Sequence, residues 1–267
     1  MDEIELDEVE ETLFVPLRGR LYATKYHKDL FYDEKLLEIS DKLPKKYMSY
    51  ERESEYTLMA SAIRSKNMDK YVQDFLERHP DGTIIVLGAG LETLFYRNDN
   101  KKATWYELDL TEVVNLRKQI LSHPRDNIIS ASMFDYEWIK QVMTKDNSHY
   151  MVIASGLFYY FENREVIDLL NNLHKLSCVE IVFDAVSKSG MKRTRKYMKQ
   201  LGKNDALMYF YVDDVNDLVK KLEYAELIKC EDYYVNIENK SKFKFKTRIF
   251  MIISDKLHMV KMIHLKL

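Results

Sequence analysis

Two glycines and an acidic residue have the types and spacing expected of a nucleotide-binding edge. The apolar run 83–87 ends abruptly at Gly88 and Gly90, and a helix-like segment follows. Glycine permits the positive φ that a tight turn after a strand needs, and it lets a ligand approach the bare backbone. Asp109 lies about 20 residues further on, where an open α/β sheet offers a carboxylate to a ribose. The pattern predicts a site for a ribose-bearing cofactor; an ordinary strand–helix turn is the alternative.

The residues around the glycines favour one cofactor class over two others. The nicotinamide pattern needs a third glycine, and Thr93 occupies that position. A pyrophosphate at this helix start would also meet the negative charge of Glu92. A P-loop is excluded because the chain has no Gly-Lys-Ser/Thr. S-adenosylmethionine has a ribose but no phosphate, so it fits best.

The carboxylate of that cofactor needs a cationic partner, and Arg64 is the candidate. It lies in the segment 61–69, just upstream of the first predicted strand. A guanidinium presents a planar fork that suits a carboxylate. The alternative is a surface arginine on a helix.

Four sequence blocks resemble the leucine carboxyl methyltransferase family, in particular its bacterial, tetracenomycin-type O-methyltransferases. The blocks are Thr12–Arg20, Ala62–Asp69, Val86–Thr93 with Phe95–Arg97, and Trp105–Val113. The third block is similar to the family's LGAGLDT…YR loop, and the fourth is similar to its YELDLPEV segment. A weaker fifth block, Ile153–Phe161, is similar to AEGLLMYL.

The resemblance implies an S-adenosylmethionine-dependent O-methyltransferase, with S-adenosylhomocysteine as the product, and it assigns roles to matched residues. Arg64 would bind the methionine carboxylate, and Asp109 would hold the ribose hydroxyls. Gly88 and Gly90 would let the methionine moiety lie on the backbone. The other positions predicted to bind the cofactor are Ala89, Leu110, Ser132, Met133 and Ser155.

Two of these positions depart from the family pattern. Ser132 stands where the family often has Asp, and Ser155 stands where many members have Glu. Serine forms hydrogen bonds but carries no charge. Adenine recognition is therefore expected to be weaker or differently built. A non-catalytic protein that keeps the fold is one alternative function.

The methyl acceptor is expected at the carboxyl ends of the strands, beside the fourth strand. Tyr160 aligns with the family's tyrosine and is predicted to line the acceptor pocket; a tyrosine packed in the core is the alternative. Arg20, together with Arg18, is predicted to pair with an acidic acceptor, against the alternative of a solvated segment. The resemblance favours a carboxylate or hydroxyl of a small molecule, including a polyketide-like metabolite. A carboxylate is already ionised at neutral pH, whereas a hydroxyl needs a base.

Strands alternating with helices must position these residues. Apolar runs at 83–87, 103–108, 127–131, 149–154 and 178–184 alternate with amphipathic segments at 91–99, 111–122, 135–144 and 162–176. This rhythm predicts an α/β fold with a mostly parallel, Rossmann-like sheet. By resemblance it is the seven-stranded sheet of class I methyltransferases, completed by a C-terminal antiparallel hairpin.

The two ends of the chain are predicted to differ from this core. Residues 1–80 would form an N-terminal helical cap or lid, and residues 81–267 the Rossmann-like core, in one compact unit. The hairpin is predicted from the strand-like runs 224–235 and 243–253, joined at 238–242. The short segment 259–267 is either a dimer contact or an addition to the sheet edge.

Composition narrows the class of partner. With 267 residues, 46% of them hydrophobic, the chain can bury a large core. Its net charge of −2 is not that of a polycation that attracts nucleic acid. The basic residues between 188 and 203 predict a solvated helix face, with a nucleic-acid surface as the alternative.

The remaining features concern metals and location. The two cysteines, Cys178 and Cys230, lack Cys-x-x-Cys spacing, so we expect no metal. No secretory signal is seen, and no apolar stretch is long enough to cross a bilayer. We therefore expect a cytoplasmic monomer or homodimer without a membrane partner.

Overall fold

The structure is a computed structural model that describes residues 13–51, 53–121, 123, 125–143, 149–200 and 208–267. In these residues seven strands form one sheet. The strands are β1 (Thr83–Leu87), β2 (Thr104–Asp109), β3 (Asp126–Ser130), β4 (Tyr150–Ala154), β5 (Val179–Val186), β6 (Glu226–Asp232) and β7 (Val260–Lys266). Their order is β3-β2-β1-β4-β5-β7-β6. Strands β1 to β5 pair in parallel, and β7 runs antiparallel to both of its neighbours. The predicted α/β class with a mostly parallel sheet is confirmed.

Helices precede, connect and cover the strands. Their bounds are α1 (Phe14–Tyr26), α2 (Glu34–Ile39), α3 (Lys45–Met48), α4 (Glu55–Arg78), α5 (Leu94–Asn98), α6 (Thr111–Ile120), α7 (Glu137–Val142), α8 (Asn163–Leu173), α9 (Lys188–Gln200), α10 (Val215–Val219) and α11 (Phe245–Lys256). Short 3-10 turns lie at Ser40–Lys42, Phe158–Tyr160 and Lys240–Lys242. Helices α5 to α8 follow β1 to β4 in turn, as the alternating pattern predicts.

The central strands are apolar because both faces of the sheet are covered. All residues of β1 and β4 are buried, which suits the runs of Ile, Val and Met in these strands. Side chains alternate between faces. Ile85 and Leu87 pack with α7 and α8, whereas Ile84 and Val86 pack with α4.

Helix α4 connects the N-terminal residues to the sheet. It begins at Ser54, whose side chain accepts a hydrogen bond from Thr57 N (3.2 Å) and so caps the helix. Its buried side chains, including Ile63 and Val72, share one core cluster with the strands. That cluster crosses the predicted boundary at 80/81, and the division into a cap and a core stays a prediction.

The C-terminal region differs from the sequence prediction in its connection. The antiparallel pair is present, and β6 lies inside the predicted run 224–235. The second predicted strand, 243–253, is wrong because α11 occupies it. The partner of β6 is instead β7, which lies between β5 and β6. The segment 259–267 is therefore an interior strand of the sheet, and both predictions for it, dimer contact and edge addition, are wrong.

The described residues contain neither a membrane-spanning helix nor a cluster of metal-ligating side chains. Among the described helices, none combines the length and apolar character needed to cross a bilayer. In the same part of the chain, no group of three His, Cys, Asp or Glu side chains is placed to hold a metal ion.

Candidate active site

The sheet register brings the ends of four strands to one level. Leu87 of β1 pairs with Leu108 of β2 and with Ala154 of β4, and Ala154 pairs with Phe183 of β5. The residues that come next are Gly88, Asp109, Ser155 and Asp184, so they lie side by side at the carboxyl edge. This is the edge at which open α/β sheets bind ligands.

The glycine loop has the backbone conformation that its sequence predicts. Gly88 and Gly90 have φ values of +57° and +48°, a region that favours glycine. A Cβ at Gly88 would also lie 2.5 Å from Leu157 Cδ1. Ala89, between the two glycines, is buried, and its amide donates to Leu108 O (3.1 Å).

Asp109 contacts this loop directly. Its Oδ2 accepts a hydrogen bond from Gly90 N (2.7 Å), and its Oδ1 accepts one from Leu110 N (2.8 Å). Burial raises the pKa of the Asp109 carboxyl, and these two amide bonds limit the rise. The predicted ribose-binding acid and the predicted glycine turn are therefore one hydrogen-bonded unit.

A buried ion pair holds the glycine loop at residues 88–92. Arg117 of α6 pairs with Glu107 of β2, and both side chains are fully buried. The same guanidinium donates from Nη1 to Gly90 O (3.0 Å) and to Glu92 O (2.8 Å). The loop is thus fixed to β2 and α6 through its carbonyls.

Arg64 lies at the same edge, on α4. Its side chain is 16% exposed, and its Nη1 lies 3.5 Å from Asp184 Oδ2. Burial lowers the pKa of the Arg64 guanidinium. Asp184, and then Tyr233 and Tyr159, raise it by more than burial lowers it, so the pKa lies above its ordinary value. Arg64 is therefore a permanent cation whose guanidinium is only partly covered.

Arg20 is buried and bound by partners within the protein. Its side chain is 1% exposed and pairs with Glu92, while its Nη2 donates to Leu91 O (3.0 Å). Arg18 is likewise occupied, by Glu53 and by Tyr47 O (3.0 Å). We therefore do not retain either arginine as an acceptor contact, and we propose that Arg20 positions the loop after β1.

Arg20 belongs to a buried charge network that sequence reasoning missed. Arg97 Nη1 lies 3.1 Å from Glu92 Oε1 and 3.2 Å from Asp33 Oδ2, and Arg97 Nε lies 2.9 Å from Asp69 Oδ2. Because two arginines neutralise Glu92, the sequence argument that its charge would repel a phosphate does not hold. Arg97 and Asp69 lie within the sequence blocks that resemble the family, which is the signal that could have identified them.

The residues predicted to contact the adenine lie in two segments, one after β2 and one after β3. Leu110 is 53% exposed beside Asp109. Met133 is buried, and its carbonyl accepts a hydrogen bond from Trp138 Nε1 (3.1 Å). Ser132 Oγ accepts from Phe134 N (3.3 Å), which fixes the turn after β3. The oxygen of the serine hydroxyl thus accepts a hydrogen bond within its own turn.

The tyrosines after β4 are in two different environments. Tyr159 is buried, and its hydroxyl donates to Asp184 Oδ2. Tyr160 is 37% exposed at the end of the 3-10 turn. Burial raises the pKa of Tyr160, Arg64 lowers it and Asp184 raises it, and the pKa lies above its ordinary value. Its hydroxyl is therefore a protonated donor at neutral pH.

The residues at this edge fit an adenosyl cofactor. A carboxylate has about four acceptor positions, and the two amide bonds to Asp109 leave some of them for ribose hydroxyls. In the described part of the chain Arg64 forms an ion pair but no hydrogen bond, so its N–H groups can receive a carboxylate. The turn at Gly88 and Gly90 leaves bare backbone between these two groups.

Asp184 was not among the predicted residues. The apolar run 178–184 ends on it, as the run 103–108 ends beside Asp109. An acid at the end of an apolar run is the signal in both cases.

Comparisons with known proteins agree with this geometry. The sequence model of the leucine carboxyl methyltransferase family matches residues 18–174. The tetracenomycin polyketide synthesis O-methyltransferase TcmP of Streptomyces glaucescens is 26% identical over 187 residues, 68% of each chain. The S-adenosyl-L-methionine-dependent methyltransferase dpfgK of Gibberella zeae is 25% identical over 259 residues, 88% of this chain and 87% of the relative.

Solved structures show the same fold at low sequence identity. A DUF574 family protein from Streptomyces avermitilis matches with a TM-score of 0.59 and 12% identity, over 93% of this chain and 96% of its own. The plantazolicin methyltransferase BamL, solved with S-adenosylhomocysteine, matches with a TM-score of 0.53 and 11% identity, over 97% and 99%. The family match covers more than half of the sequence, and this chain belongs to the leucine carboxyl methyltransferase family of S-adenosylmethionine-dependent enzymes.

Proposed function

We propose that this enzyme methylates an oxygen atom of a small molecule, and that the acceptor is a carboxylate or a hydroxyl, as in a polyketide-like metabolite. The oxygen acceptor is supported by the relative TcmP, which is named as a polyketide O-methyltransferase. The observation that carries the proposal is the shared level of Gly88, Asp109, Ser155 and Asp184 at the carboxyl edge.

Each residue at the edge would hold one part of the cofactor. Arg64 would bind the carboxylate, and the backbone at 88–90 would lie along the methionine moiety. Asp109 would accept from the ribose hydroxyls, and the adenine would lie among Leu110, Ser132 and Met133. Ser155 follows β4, on the other side of the glycine loop from these residues, and would lie near the methionine moiety. When bound, S-adenosylmethionine supplies an activated methyl group. The protein then has to align the acceptor and exclude water.

The acceptor would meet Tyr160, a residue that is 37% exposed in the turn after β4 at the same edge. A protonated tyrosine can orient an oxygen by donating a hydrogen bond, but it cannot remove a proton. The hydroxyl of Tyr159 is also protonated at neutral pH, because burial and then Asp184 raise its pKa well above the ordinary tyrosine value. A carboxylate is ionised without help, so these environments favour a carboxylate over a hydroxyl.

The experiment is methyl transfer from methyl-labelled S-adenosylmethionine to paired acceptors. Each pair is an aromatic carboxylic acid and its primary amide, with phenols as a second series. Mild alkali releases labelled methanol from a methyl ester but not from a methyl ether. We expect label in the acids, released by alkali. Label that is stable to alkali would assign a hydroxyl acceptor, and label on nitrogen or on added RNA would contradict the proposal.

A further inference from the structure

The buried carboxylate of Asp184 forms an ion pair with Arg64. Asp184 is on β5, is 1% exposed, and lies 3.5 Å from the Arg64 guanidinium. Its Oδ1 accepts a hydrogen bond from Gly156 N (2.6 Å). Its Oδ2 accepts from the hydroxyls of Tyr159 and Tyr233, the latter at 3.4 Å. The acid therefore contacts residues from α4, the loop after β4, and the loop after β6.

Arg64 contacts both this carboxylate and the backbone of the loop after β4. Gly156 has a φ of +68°, and a Cβ at this position would lie 2.3 Å from Arg64 Nη1. The guanidinium thus packs against bare backbone on one side and pairs with Asp184 on another. Its side chain keeps 16% exposure, whereas that of Asp184 has 1%. Of the two paired side chains, Arg64 is therefore the one that a ligand can reach.

A purely structural role would not need this arrangement. A buried carboxylate costs several kcal/mol unless it is paired and hydrogen-bonded, and one amide and two tyrosine hydroxyls already supply hydrogen bonds. The arginine adds the charge partner, yet the described residues give its N–H groups no hydrogen bond. An arginine that only neutralised the acid would be expected to donate to it.

We propose that Asp184 is a positioning residue for Arg64. It holds the guanidinium at the carboxyl edge, with its donors directed to the carboxylate of the cofactor. This inference rests on the proposed role of Arg64 in binding that carboxylate. Tyr159 and Tyr233 fix the acid in turn, and the absence of a side chain at Gly156 leaves room for the guanidinium.

The test compares two ligands that differ at the relevant group. S-adenosylhomocysteine has the amino-acid carboxylate, and 5′-methylthioadenosine has the same adenosyl thioether without it. Calorimetry on the purified protein should show that Asp184→Asn binds S-adenosylhomocysteine about tenfold more weakly, a loss typical of a charged hydrogen bond. The affinity for 5′-methylthioadenosine should stay within about twofold. Arg64→Met should show the same difference between the two ligands.

Two further variants separate positioning from folding. Tyr233→Phe removes one donor to Asp184 with little change in volume, and it should give a smaller loss for S-adenosylhomocysteine alone; it serves if Asp184→Asn does not fold. Glu180→Gln alters another acid on the same strand, which pairs with Arg78 and His264. It should leave both affinities unchanged.

The outcomes distinguish the inference from the proposed function. If Asp184→Asn weakens both ligands equally, or weakens neither while Arg64→Met weakens S-adenosylhomocysteine, the positioning role is wrong and the role of Arg64 is untouched. If Arg64→Met leaves S-adenosylhomocysteine binding unchanged, the proposed role of Arg64 fails, and the inference fails with it.

Discussion

At the scale of single residues, Arg117 connects the glycine loop to the buried part of the sheet. It is fully buried, pairs with Glu107, and donates to the carbonyls of Gly90 and Glu92. Removing one partner of a buried pair leaves an uncompensated charge and costs about 3–5 kcal/mol. Replacing both partners with apolar residues of similar volume removes that charge.

We therefore expect Arg117→Met to lower the free energy of unfolding by about 3–5 kcal/mol. The double variant Glu107→Leu/Arg117→Met should recover part of the loss. Urea unfolding followed by circular dichroism measures both. A double variant no more stable than the single one would show that the backbone bonds, not the charge pair, dominate the contribution of Arg117.

The residues of the site could be predicted to different extents. The positive φ of Gly88 and Gly90 and the position of Asp109 at the end of a strand could be predicted, because both follow from local sequence. The burial of Arg20 against Glu92 could not be predicted, because the two residues are 72 positions apart in the sequence. A single sequence does not show that two distant charges are buried together.

At the scale of elements, the buried charge network connects three helices to the loop after β1. Arg20 on α1, Asp33 at the start of α2, and Asp69 on α4 meet Glu92 and Arg97. Burial would raise the pKa of Glu92, but Arg20 and then Arg97 lower it to about 2. The folded state therefore binds the Glu92 proton less readily than the unfolded chain, whose glutamates titrate near a pKa of about 4.3.

The stability that Glu92 contributes is present above that unfolded value and is lost as the pH falls toward about 2. Glu92→Gln should consequently lower the free energy of unfolding at about pH 7. The difference in this free energy between the variant and the native protein should shrink as the pH falls from about 4.3 toward about 2. Urea unfolding at a series of pH values measures it. Glu137→Gln, at an exposed pair with Lys140, is the control and should change stability little at any pH. A Glu92→Gln deficit that stays constant with pH would contradict the role of the charge.

The elements themselves were predictable where burial follows local pattern. β1 was predicted with its observed bounds because every residue in it is apolar or β-branched and buried. The sequence of α11 predicts a strand because most of the apolar residues of this helix are not on its buried face. The helix buries Thr247, Met251 and Ser254, whereas Phe245 is 67% exposed. Its amphipathic pattern is therefore inverted, and the sequence does not show which face the protein covers.

At the scale of the whole molecule, the last strand completes the sheet. β7 pairs with β5 along Val260–Lys266 and with β6 on its other side. Met262, Ile263 and Leu265 are at most 1% exposed. Without β7 two strand edges and their apolar side chains would be uncovered, which is a condition that promotes aggregation.

Deleting residues 260–267 should therefore prevent folding of the whole chain, and not merely remove a dispensable terminal segment. We expect the truncated chain to be insoluble, or to lack a cooperative thermal transition, in expression and calorimetry experiments. Lys266→Ala, at the exposed end of the same strand, is the control and should unfold cooperatively. A truncated chain that unfolds cooperatively near the native temperature would mean that β7 is peripheral to the core.

The central claim is that the edge formed by Gly88–Gly90, Asp109 and Arg64 holds the adenosyl cofactor, and binding of S-adenosylhomocysteine to Asp109 variants tests it most directly. Asp109→Asn keeps the shape of the side chain but replaces one acceptor oxygen with a donor. Asp99→Asn makes the same change before the other end of β2, where Asp99 pairs with Arg125. Calorimetry should show one binding site on the native protein, about tenfold weaker binding by Asp109→Asn, and unchanged binding by Asp99→Asn. Equal affinities for the native protein and Asp109→Asn, or no binding by either, would contradict the account.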